Sequence, residues 1–252
     1  MKHVFAIDFD GVICDTAAET AVTAWRAGSQ IWKSWNEPEP LSEHLNRFVR
    51  LRPILETGYE AVILMHLIVN GIDDHTISTR FHSLCELFIR KEKLSVDQLI
   101  GLFGSTRDQW IQQDMEDWLS RHRFYEGILE RLREQCAHEA VYIVTTKQER
   151  FVKALLQYGQ IDPDSLEIFG LDRRKPKSEI LVELMKRHDS SLLSFHFIED
   201  RLKTLIRIAE NPSLAAVHLY LADWGYNTEA DRTAAEANPR IICIPREEFL
   251  NI

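Results

Sequence analysis

The chain has 252 residues, is 45% hydrophobic and 27% charged, and carries a formal net charge of −9 at pH 7. That length suggests one large domain or a core with a smaller partner. The apolar fraction supplies a real core and argues against disorder, and the acidic balance offers no basic face of the kind that nucleic-acid binding requires. Cys14, Cys85, Cys136 and Cys243 are scattered without a CxxC pair or zinc-type spacing, which reads as reduced thiols. No apolar run reaches the ~18 residues of a membrane span, and Val4-Phe5-Ala6-Ile7 is too short for a signal sequence. The expectation is a soluble, cytoplasmic protein with no nucleic-acid or membrane partner.

Residues 4–7 read as a buried strand that stops at the turn Asp8-Phe9-Asp10-Gly11. Thr16-Ala17-Ala18-Glu19 has the pattern of a capping box and opens a helix. From there to about Arg123 the apolar residues recur at three- and four-residue intervals, over 41–51, 61–68 and 81–89, and Ser95-Val96-Asp97-Gln98 suggests another capping box. Trp25, Trp32, Trp35, Trp110 and Trp118 lie in this block and read as core aromatics of a helical bundle. After Tyr125-Glu126-Gly127 the rhythm changes to alternating elements. Strands are predicted at 140–144, 166–169, 195–198, 215–221 and 241–244, and helices at 128–136, 148–158, 177–188 and 202–209.

Such alternation implies a parallel sheet covered on both faces, interrupted after its first strand by an inserted helical block. The expected architecture is therefore α/β: a Rossmann-like parallel-sheet core, residues 1–15 and 124–252, with an inserted all-helical cap, residues 16–123. Ligands of open parallel sheets bind beyond the carboxyl ends of the strands. Those ends carry Asp8 and Asp10, then Thr145-Thr146-Lys147, then Lys175-Pro176-Lys177, then Glu199-Asp200. Carboxylates clustered at Asp8, Asp10 and Asp200 repel one another unless a hard, oxygen-liganded cation such as Mg²⁺ holds them. A lysine and a hydroxyl beside such an ion suit a phosphoryl group, whose charge must be neutralised and whose position must be fixed.

These residues resemble the motifs of the haloacid dehalogenase superfamily, in its phosphoglycolate-phosphatase-like branch with a helical cap. Asp8-Phe9-Asp10-Gly11-Val12 is similar to the first motif, Val141-Tyr142-Ile143-Val144-Thr145 to the second, Lys175-Pro176 to the third and Phe197-Ile198-Glu199-Asp200 to the fourth. Tyr125-Glu126-Gly127 resembles the family's Tyr-Pro-Gly return into the core with Glu in place of Pro, and Trp224-Gly225-Tyr226 a segment found near the end of such members. The resemblance implies a Mg²⁺-dependent phosphatase acting on a small phosphorylated metabolite. In it Asp8 is the nucleophile and Asp10 the general acid and base. Thr145 and the Thr146 amide hold phosphoryl oxygens, and Lys175 offsets charge, with Arg173, Arg174 and Lys177 as its rivals. Asp8, Asp200 and the Asp10 carbonyl are metal ligands, hinged cap motion is centred near Thr16 and Arg123, and dehalogenase members lack the acid that Asp10 provides.

Two features leave alternatives open. Where the fourth motif usually places a second acid the chain has Thr204, and Glu199 either replaces that acid or orients the lysine. Asp-Gly-Val before Cys14-Asp15-Thr16 also resembles sugar-phosphate mutases, and a non-catalytic binding protein is the third class. Arg47, Arg50 and Arg52 read as a solvated helix face or an anion clamp, and His44, His66, His188 and His196 have no metal-type spacing.

Overall fold

The computed structural model describes residues 2–188 and 193–252. The chain divides into two compact units, one formed by Met1–Asp15 with Arg123–Ile252, the other by Thr16–His122.

The Thr16–His122 unit is built from helices α1 (Ala17–Ile31), α2 (Ser42–Leu51), α3 (Glu60–Val69), α4 (Asp74–Glu92), α5 (Val96–Gln113) and α6 (Met115–Ser120). α3 is apolar nearly all round, as a central helix must be, and buries Ala61 to Met65, Leu67 and Ile68. Around it pack Trp25, Trp35, Phe48, Phe88, Leu99 and Phe103. Trp25 and Trp35 stack with ring centroids 4.7 Å apart, a geometry that fits the reading of these tryptophans as core. Ser95 and Gln98 form the capping box expected at the start of α5. Arg47 spends its donors inside the bundle, on Asp74 Oδ1 and on the carbonyls of Ile68 and Ile72, and Arg50 also reaches Asp74. This pair ties helices together.

The box expected at Thr16 does not form, because Glu19 is drawn elsewhere. The Thr16 side chain does not cap α1. Glu19 Oε1 instead accepts from Arg107 Nε at 2.7 Å, Thr23 Oγ1 at 2.6 Å and Trp118 Nε1 at 3.1 Å, and Oε2 accepts from Arg107 Nη2 at 2.6 Å. A carboxylate fully removed from water needs this many donors, and the two-pronged guanidinium is the strongest of them. Since Trp118 lies near the end of the unit and Glu19 near its beginning, the cluster fastens the two ends of the insertion to each other.

The other unit holds strands β1 (Lys2–Ile7), β2 (Cys14–Asp15), β3 (Arg123–Phe124), β4 (Ala140–Val144), β5 (Glu167–Phe169), β6 (Leu193–Glu199), β7 (Val217–Ala222) and β8 (Ile241–Ile244). Six of them form one sheet in the order β5-β4-β1-β6-β7-β8 with every neighbouring pair parallel. The connecting helices are α7 (Ile128–His138), α8 (Glu149–Tyr158), α9 (Lys177–Arg187), α10 (Leu202–Ala209), α11 (Glu229–Glu236) and α12 (Arg246–Phe249). On one face of the sheet Val4, Ala6, Phe195, Phe197, Leu219 and Leu221 pack under the apolar stripes of α9 and α10. This is the expected α/β core. The sequence pattern did not predict the antiparallel pair β2–β3, which joins Cys14 to Phe124 and Asp15 to Arg123. It is a two-stranded sheet of its own, in the same compact unit as the six-stranded one. The expected strand at 215–221 begins only at Val217, because Pro212–Leu214 forms a 3₁₀ turn first. Among the described residues, no helix is long and apolar enough to cross a membrane.

Glu19→Ala removes the acceptor for a buried guanidinium. It is expected to destabilise the protein by about 3–5 kcal/mol, measured as a fall in the urea midpoint, and a change below about 0.5 kcal/mol would show that the cluster does not fasten the bundle.

Candidate active site

Strand register brings the candidate residues together. Ile7 pairs with Ile143 of β4 and Ile198 of β6, so all three strands end at one level. Asp8, the next residue, donates its amide to the Ile198 carbonyl at 2.9 Å and therefore stands beside Glu199 and Asp200. One residue beyond β4, Thr145 donates its amide to Phe169 of β5 at 2.9 Å. A central strand flanked by two others of the same direction thus delivers an acid, a hydroxyl and two further acids to one edge.

Asp8, Glu199 and Asp200 are all buried, and each offers a carboxylate oxygen within 4.8 Å of the others'. The ammonium set against them belongs to Lys177. Its Nζ lies 3.0 Å from Asp8 Oδ1 and donates to Glu199 Oε2 at 2.7 Å. Glu199 Oε1 accepts from the Arg201 amide at 3.1 Å, so this side chain is oriented from both ends. Asp200 Oδ2 accepts from the Tyr226 amide at 2.7 Å, and Asn227 Nδ2 donates to the carbonyls of Asp200 and Ala222. Trp224 Nε1 donates to the Val12 carbonyl at 3.0 Å and the Tyr226 hydroxyl to Asp15 Oδ1 at 2.8 Å. The Trp224-Gly225-Tyr226 segment therefore clamps the turn after β1 against Asp200. That turn needs Gly11: its φ is +86°, and a Cβ there would stand 2.0 Å from Asp200 Oδ2.

The charges are not balanced. Burial pushes Asp8 up to about 7, with Glu199 and Asp10 adding to the shift and Lys177 opposing it. Burial raises Glu199 and Asp200 as well, Asp200 being raised further by Asp8. Burial alone would lower Lys177, but Asp8 and Glu199 outweigh it and hold the ammonium above the usual lysine range. Three buried acids against one ammonium make a donor set of hard oxygens with surplus negative charge, and a divalent cation of the Mg²⁺ type fits it.

The lysine expected from the third motif needs correction. Lys175 is exposed and its Nζ bonds to Glu183, whereas Lys177 reaches Asp8. Pro176 is the N-cap of α9 and Lys177 its first residue. Side chains at a helix start lean back past the N-terminus, here toward the strand tips, while Lys175 sits in the extended segment outside it. Thr145 is buried and Thr146 exposed. The Asp10 side chain does not join the acid cluster but accepts from Lys147 Nζ at 3.1 Å, so any share of Asp10 in holding a cation falls to its carbonyl. Lys147 was visible only as the end of Thr145-Thr146-Lys147, and no local pattern pointed to its partner.

No family model matches the chain, and no curated protein matches it. Solved structures do. A haloacid dehalogenase-like family hydrolase from Streptococcus pneumoniae superposes with a TM-score of 0.56 at 15% identity, over 99% of this chain and 97% of that one. A predicted phosphoglycolate phosphatase from Haemophilus somnus gives 0.62 at 15% identity, over 99% and 97%. A predicted phosphatase from Clostridium acetobutylicum gives 0.60 at 14% identity, over 100% and 97%. The chain has the haloacid dehalogenase-like fold.

Lys177→Ala strands two buried carboxylates and is expected to lower stability by about 3–5 kcal/mol, whereas Lys175→Ala should change it by no more than about 1 kcal/mol; urea unfolding of both variants decides between the two lysines. A second expectation concerns pH. Because folding raises Asp8, its contribution to stability is complete below the unfolded carboxylate value and is lost as pH rises through about 7. In chelator, the stability of Asp8→Asn relative to the native chain should therefore climb between pH 5 and pH 8. A flat or falling difference in paired melts would contradict the assignment.

Proposed function

We propose that this chain is a Mg²⁺-dependent phosphatase of the haloacid dehalogenase superfamily that hydrolyses a small phosphate monoester through an aspartyl-phosphate. The observation that carries the reading is the buried group of Asp8, Glu199 and Asp200 against the ammonium of Lys177, set beside Thr145 at the ends of parallel strands. Solved structures of this fold that are described as predicted phosphatases support it.

In this reading Asp8 attacks phosphorus and is phosphorylated as the ester P–O bond breaks, which divides one difficult displacement into two easier ones. Asp10 protonates the departing ester oxygen and then takes a proton from the water that attacks the aspartyl-phosphate. Thr145 and the Thr146 amide hold phosphoryl oxygens, and Lys177 keeps Asp8 oriented and offsets charge gathered there. Asp8, Asp200 and the Asp10 carbonyl would hold Mg²⁺, which would supply charge neutralisation at the phosphoryl oxygens. Glu199 orients Lys177, its nearest donor.

The test is phosphate release from a panel of phosphate monoesters with Mg²⁺ and with chelator. Release is expected only with Mg²⁺, Asp8→Asn should fall to background, and Asp10→Asn should lose ~10²–10⁴-fold in kcat. A folded protein that cleaves no ester, and that takes up no beryllofluoride at Asp8, would be a binding protein on this fold.

A further inference from the structure

A second buried ammonium, that of Lys147, is paired with Asp10. The Lys147 side chain is 1% exposed and its Nζ lies 3.1 Å from Asp10 Oδ1. Lysine is among the residues least often buried, and it stays charged in the interior only against a partner. The backbone of Lys147 is pinned on both sides: its amide donates to Thr145 Oγ1 at 3.1 Å, and its carbonyl accepts from the Leu171 amide at 3.0 Å. Gly170 presses against the same peptide so closely that a Cβ there would stand 2.6 Å from the Lys147 carbonyl oxygen. The ammonium is thus delivered from a fixed backbone along a buried stem to one carboxylate oxygen, a different arrangement from a mobile surface counter-ion. Asp10 lies on the turn after β1, where it forms an isolated bridge with Cys14, and its side chain is 18% exposed.

We infer that Lys147 is a positioning residue for Asp10, and that through this contact it governs proton transfer to the leaving group. The inference rests on the phosphatase reading above. In the first step the P–O ester bond breaks as the Asp8 oxygen bonds to phosphorus, and the proton on Asp10 passes to the departing ester oxygen, releasing a neutral alcohol. In the second, water attacks phosphorus, its proton goes to the Asp10 carboxylate, and Asp8 is released. Lys147 touches neither phosphorus nor ester oxygen in this scheme. It sets where the Asp10 carboxyl stands, and a displacement of about 1 Å costs on the order of 10² in rate. The effect is selective, because an aryl oxide such as p-nitrophenolate departs without a proton whereas an alkoxide does not.

The experiment compares p-nitrophenyl phosphate with simple alkyl phosphates in Mg²⁺ for the full chain and for Lys147→Met, Lys147→Arg and Gly170→Ala. Lys147→Met is expected to lose ~10²-fold in kcat on alkyl phosphates and only a few-fold on the nitrophenyl ester, with KM little changed. Lys147→Arg should recover part of the alkyl activity. Where Lys147→Met fails to fold by circular dichroism, Gly170→Ala, which displaces the Lys147 peptide and keeps the ammonium, should show the same selective loss at smaller size. Equal losses on both ester classes in the folded variants, or a change confined to KM, would overturn the inference and leave the phosphatase reading standing. A native chain inactive on every ester overturns both.

Discussion

The structure depends on one electrostatic constraint: more carboxylates are buried at the tips of β1 and β6 than the neighbouring ammonium can neutralise. Parallel register forces this crowding, since Asp8 follows Ile7 and Glu199 follows Ile198, and those two residues are partners. Everything nearby is arranged to hold the acids in spite of their repulsion. Lys177 is shared between Asp8 and Glu199. Backbone amides are turned onto Glu199 and Asp200, each a charge-assisted bond of about 1.5–3 kcal/mol. A structure that merely sought stability would have apolar residues at these positions, because unpaired buried charge is costly. Such a cluster of hard oxygen donors fits a positively charged partner.

The same economy of partners governs the helical unit. Glu19 collects hydrogen bonds from Thr23, Arg107 and Trp118, the last 99 positions away. The helices of that unit carry their own core, distinct from the one between the sheet and α9–α10. Each unit has its own hydrophobic cluster and its own buried ion pair.

The fold was legible because its signals are local. An apolar run ending in a Gly turn, alternation of strand and helix, and helical spacing between residues 16 and 123 all repeat within a few residues. The strand-end acids Asp8, Glu199 and Asp200 could be placed for the same reason. Signals that depend on a distant partner were lost. Thr16-Ala17-Ala18-Glu19 has the spacing of a capping box, yet the energy lies in a contact with Arg107, 88 residues on. Lys175-Pro176-Lys177 offered two lysines whose difference is set by which side of the N-cap each occupies. Lys147 finds Asp10 across 137 residues, and β2–β3 is too short for any periodicity.

Tyr226 has one more consequence. Its peptide nitrogen is fastened to the Asp200 carboxylate and its phenol, at the far end of a rigid ring, to Asp15, the last residue before the chain leaves for the helical insertion. The ring is a stiff strut with an anchor at each end. One side chain thus ties the strand pair that brackets the insertion to the residue whose carboxylate closes the acid cluster.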